Sequence, residues 1–86
     1  MNHHTTSHFR TCYERLPASV RGAADRRFEL LKQNPGHPSL QFKPVGQYWS
    51  VRVTLTYRAP AIRRGEEVTW FWIGHHGPYD RILKQP

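Results

Sequence analysis

One cysteine in 86 residues leaves nothing for a disulfide framework to join. With Cys12 alone, an intramolecular disulfide and a cysteine-based zinc site are both excluded, and a buried thiol in a reducing compartment is the expectation. Long apolar runs are also missing. None approaches membrane-spanning length, and the polar start "MNHHTTSH" lacks the apolar region of a signal peptide. These absences predict a cytoplasmic protein with no membrane partner. Acidic residues are scarce, six against 13 lysines and arginines, for a formal charge of +7. No lysine-rich tail, low-complexity segment, internal repeat or linker accounts for that excess. The charge is mostly arginine and is spread through folded-looking sequence, which favours a polyanionic partner, either nucleic acid or an acidic protein.

The length suits one domain, spanning 1–86, with about 1–6 expected to be flexible. Phe9, Cys12, Tyr13 and Leu16 recur at helical spacing, with Ser7 as the expected N-cap. "LPASV" restarts the helix, and Val20, Ala23, Ala24, Phe28 and Leu31 form its apolar stripe. "NPGHP" stops it near Gln33. Everything afterwards reads as strand. "LQFKPV" is a short candidate that Pro44 ends or places at an edge. "YWSVRVTLTYR" alternates: Trp49, Val51, Val53, Leu55 and Tyr57 share one parity, Ser50, Arg52, Thr54, Thr56 and Arg58 the other. Pattern does not decide whether 48–62 is one strand or two. After the charged turn "RRGE", Val68 to Ile73 is the most apolar segment and reads as a central strand.

The pieces "RLPASVRGAADRRFELLKQNPGHPSLQFKPV", "YWSVRVTLTYRA" and "WFWIGHHGPYD", in that order, resemble the RelE/ParE superfamily of type II toxin–antitoxin toxins. The likeness runs from about Thr5 to Leu83. It implies an α+β fold, an N-terminal helical hairpin packed on a twisted antiparallel sheet of three to four strands. It also implies a reversal near Thr54 to Thr56, which would bring Arg52 and Arg58 together. A continuous strand would hold them about 20 Å apart, at 3.3 Å per residue. RelE-like members cleave messenger RNA in the ribosome, ParE-like members inhibit DNA gyrase without nuclease chemistry, and both are silenced by a cognate antitoxin. Pro60 and Pro44 depart from the family pattern, which raises a third possibility, a catalytically degenerate binding module.

Cleavage by 2′-hydroxyl attack needs a base, an acid and cations for the charge growing on phosphoryl oxygens. The resemblance places Arg58, the "YR" arginine, as phosphate clamp, with Lys43 and Arg52 on the substrate backbone. His76 carries an imidazole, which can serve as acid or base. Tyr79, three residues on, can donate a proton or stack on a splayed base. His3, His4 and His8 invite a metal, but no third ligand of suitable type sits at a recognised spacing in a segment expected to fray, so neither metal nor cofactor is expected. The expected partners are an antitoxin and ribosome-bound messenger RNA, with DNA gyrase as the alternative.

Overall fold

The computed structural model describes residues 1–84. Along the chain come β1 (Asn2–Thr5), α1 (Ser7–Glu14), α2 (Ala18–Gln33), a 3-10 turn (Pro38–Leu40), β2 (Lys43–Val45), β3 (Tyr48–Arg52), β4 (Tyr57–Arg64), β5 (Glu67–Trp70), β6 (Gly74–His75) and α3 (His76–Lys84). The fold is α+β, as the sequence implies. The sheet is larger than expected and mixed, with order β1-β5-β4-β3-β2 and β6 beside the first half of β4.

The two helices form where the apolar stripe requires. α2 ends at Gln33, and Val20, Ala24 and Leu31 are its buried residues. They pack with Phe9 and Leu16 on Val51, Ala59, Ala61, Val68 and Trp70 of the sheet and on Val53 just beyond β3. Each large aliphatic chain buried there contributes roughly 1.5–3 kcal/mol. Thr6, not Ser7, caps α1, its side-chain oxygen accepting from the Phe9 amide at 3.0 Å. Cys12 is half-buried, 3.7 Å from His8 Nε2.

The N-terminal segment, expected to fray, is instead the parallel partner of β5, from Asn2 opposite Glu67 to Thr5 opposite Trp70. Side-chain chemistry explains the docking. Trp70 Nε1 donates to His3 Nδ1 at 3.1 Å, and His4 Nε2 lies 2.7 Å from Glu67. His3 is therefore held neutral with its proton on Nε2, a buried atom without a partner among the described residues. Burial first, then the nearby terminal ammonium, depresses its pKa below 6.5. The three N-terminal histidines thus go to three different partners.

Three reversals order the meander. Val45–Tyr48 and Arg64–Glu67 each enclose a two-residue loop whose first residue, Gly46 or Gly65, has φ +60°, the conformation that suits a right-twisted hairpin. The third, at 53–56, contains no turn residue, and its side chains make the turn. Thr54 Oγ1 accepts from the amides of Thr56 and Tyr57 at 3.3 and 3.1 Å. Arg58 Nη1 donates to the carbonyls of Thr54, Tyr57 and Leu55 at 2.6, 3.0 and 3.2 Å. Leu55, expected on the dry parity, is 74 % exposed at the tip.

Pro60 does not interrupt its strand. It pairs with Ser50 inside β4, and its carbonyl accepts from Phe71 N at 3.4 Å. A residue's N–H and C=O point to one side of an antiparallel strand. The missing donor therefore faces the gap where the chain has left β5 and not yet entered β6. That gap divides the last strand, expected over Val68 to Ile73, into Glu67–Trp70 and Gly74–His75. Beyond it, α3 crosses the sheet face opposite α1 and α2. Tyr79 and Ser50, both under a tenth exposed, join there through a 2.5 Å hydrogen bond.

Candidate functional site

Strand alternation puts Lys43 and Val45 of β2, Ser50 and Arg52 of β3, and Arg58 of β4 on the face that α3 partly covers. With Gln41 and Tyr79 they line a cleft of about 220 Å³. Four of the five residues singled out in the sequence, Lys43, Arg52, Arg58 and Tyr79, meet in it. His76 does not line it. It opens α3 on the helix face of Tyr79, one turn away, exposed, with its ring stacked on His75 at 4.4 Å. Its amide donates to the Thr56 carbonyl at 2.8 Å, tying the helix start to the reversal that Arg58 caps.

Arg52 and Arg58 are direct cross-strand partners. Like charges so placed destabilise a sheet pair by up to about 1 kcal/mol. Among the described residues no carboxylate lines the cleft, and neither arginine nor Lys43 forms an ion pair. The site is therefore an uncompensated cationic cleft, suited to an anion with oxygens on more than one side. Arg58 enters it preoriented. Its Nη1 is anchored on three carbonyls, while no bond within the described residues engages Nε or Nη2.

The cleft's tyrosine is less available than its position in the sequence suggests. Tyr79 is 6 % exposed, and its hydroxyl is engaged with Ser50 Oγ, so its evident work is to hold α3 on the sheet. Ser50, Val45 and Gln41 were not singled out in the sequence. Ser50 and Val45 share the cationic face through strand parity, a usable signal. Gln41 comes in by a left-handed φ of 46° after the 3-10 turn, which no pattern announces. Two arginines elsewhere are spent on the fold. Arg27 reaches the Val53 carbonyl at 3.3 Å and Ser39 Oγ at 2.9 Å, and Arg63 lies over the Trp49 ring at 4.5 Å.

No protein-family model and no curated protein matches the sequence. Solved structures do. A chain of the RelB–RelE antitoxin–toxin complex from Methanococcus jannaschii superposes with a TM-score of 0.72 at 16 % identity, over 91 % of this chain and 96 % of that one. YafQ from E. coli gives 0.70 at 12 % identity, over 91 % and 96 %. The YoeB/ParE toxin from Agrobacterium tumefaciens gives 0.67 at 20 % identity, over 88 % and 99 %. Near-complete coverage in both directions, with so little sequence in common, is a likeness of architecture: the chain has the RelE/ParE toxin fold.

Proposed function

We propose that the protein is the toxin of a type II toxin–antitoxin pair and that it cuts ribosome-bound messenger RNA. The observation that carries this is the Arg52–Arg58 cross-strand pair, joined by Lys43 in a cleft without a carboxylate. Structures of the same fold support the partner: RelE is solved with RelB and YafQ with DinJ. An antitoxin with acidic or apolar residues would silence the protein by covering this cleft.

In the proposed reaction the substrate's 2′-oxygen bonds to the adjacent phosphorus and the bond from phosphorus to the 5′-oxygen breaks. The products are a 2′,3′-cyclic phosphate and a 5′-hydroxyl. Lys43 and Arg52 hold the substrate's phosphates, and Arg58 offers Nε and Nη2 to the scissile group as its charge grows. His76, exposed at the start of α3, moves the proton between the 2′-oxygen and the leaving 5′-oxygen. Arginine supplies the positive charge, so the step calls for no metal or cofactor.

A second reading has an observation of its own. The Tyr79 hydroxyl is committed to Ser50 and the His76 ring to His75, so the groups that would move protons stand apart from the arginines. A ParE-like inhibitor of DNA gyrase would need the cationic surface and no acid–base pair. One experiment separates them: purified protein with programmed ribosomes, on messenger RNA carrying either a ribose or a 2′-deoxyribose at the scissile nucleotide. Cleavage should leave a 2′,3′-cyclic phosphate on the ribo-substrate and vanish on the deoxy substrate. An uncut ribo-substrate, with inhibition of purified gyrase, would overturn the nuclease reading.

A further inference from the structure

α3 covers only one end of the sheet face that carries the arginines. Toward the other end the same face holds Tyr48, two residues before Ser50 on β3 and opposite Val45. Both of those neighbours line the cationic cleft. Phe71 stands beside Tyr48, its ring centroid 5.2 Å away and its plane tilted by 53°. Neither ring is fully buried, and neither belongs to the hydrophobic core on the helical side of the sheet. The Phe71 amide is bonded to the Pro60 carbonyl, and the Gln47 side-chain amide donates to the Tyr48 hydroxyl at 3.2 Å. Ile62, 42 % exposed, extends the uncovered apolar surface.

We propose that Tyr48 and Phe71 are a stacking site for the bases of a single-stranded RNA whose phosphates lie in the Lys43–Arg52–Arg58 cleft. The occupant follows from the neighbourhood. An apolar surface alone would suit many partners, but this one is continuous with a cationic cleft on the same pleated face. Two strand positions separate Tyr48 from Ser50, about 6.6 Å at 3.3 Å per residue. A charged track beside fixed aromatic rings is how proteins hold single strands without reading sequence. Tilted rings offer separate planes, so the contact is with individual bases and not with a flat duplex end. The proposal rests on the reading of the cleft as a phosphate site.

The test measures binding of two labelled oligomers by fluorescence anisotropy at low salt. One is a short uridine-rich RNA, the other the same phosphate chain built of abasic riboses. The wild-type protein should prefer the base-bearing chain by about 5- to 150-fold, the range for one stacked base. Tyr48→Leu and Phe71→Leu keep apolar volume and remove the ring. Each should bring the preference toward one while leaving abasic affinity and salt dependence unchanged; circular dichroism checks that they fold. Arg52→Ala should weaken both oligomers alike and reduce the salt slope by about 0.7. No preference in the wild type, or a preference that both leucine variants retain, would overturn the stacking site. An unchanged salt slope in Arg52→Ala, with the preference still dependent on Tyr48, would sink the phosphate reading and leave the stacking site standing.

Discussion

The hydrogen bond from Tyr79 to Ser50 is the only one that a side chain of α3 makes to the sheet among the described residues, and its value can be isolated. Tyr79→Phe deletes one hydroxyl and keeps the ring, which leaves Ser50 Oγ without its donor. Ser50→Ala strands the phenol instead. A buried polar group that loses its partner costs about 1–3 kcal/mol, whereas removing both partners together is close to neutral. Because both residues border the cleft, water can partly compensate, and about 1–2 kcal/mol for each single variant is expected. The double variant should then be no worse than either single one, a coupling within the 0.5–3 kcal/mol found for contacting pairs. Urea unfolding gives the free energies. Thermal melts should fall by about 4–8 °C per kcal/mol in a domain of this size. Single effects that add to within about 0.5 kcal/mol would show that the two hydroxyls do not act on each other.

Arg58→Ala should relieve growth arrest, and it should also cost about 1 kcal/mol in urea unfolding by releasing the carbonyls of the 53–56 reversal; unchanged arrest would remove Arg58 from the chemistry. His76→Ala should slow cleavage on programmed ribosomes by about 10²–10⁴-fold, and a rate within a few-fold of wild type would exclude His76 as the proton carrier. For His3 the folded pKa lies below 6.5, so the unfolded chain binds the proton first. Its contribution is thus full above pH 6.5 and is lost as pH falls through the depressed value. Urea midpoints of wild type minus His3→Leu should decline over that window, and a flat difference would refute the neutral tautomer. Hydrogen exchange of the antitoxin complex should show Lys43, Arg52 and Arg58 protected; full exposure there would mean that the antitoxin neutralises the protein elsewhere.

What the sequence made legible was whatever one element decides alone. The stripe from Val20 to Leu31 has a single way to reach a core, and "NPGHP" cannot continue a helix, so α2 was readable to its last residue. The strand from Tyr48 was readable for the same reason, because its parity assigns every side chain to a face. Its reversal near Thr54 to Thr56 came only from the family resemblance and not from pattern, since Thr54 makes the turn with its own side chain and Arg58 completes it from the next strand. β1 was misjudged on similar grounds. Nothing in "NHHT" marks a strand until His3 meets the indole of Trp70 and His4 meets Glu67, 63 or more residues away.

The same division runs through the site. Arg52 and Arg58 were found through the family resemblance, which also implied the turn that brings the two charges face to face. Tyr79 was found for its chemistry and misjudged in its setting. From the sequence, "GHHGPYD" follows the last strand, and only the return of α3 over Ser50 removes the phenol from solvent. His76 was set apart from the arginines by the same helix, which begins at that residue and sends its ring to His75. A helix that buries one candidate and exposes another also determines how much of the cationic face is open. In the proposed reading, substrate and antitoxin would compete for what α3 leaves open, the cleft and the Tyr48–Phe71 rings beside it.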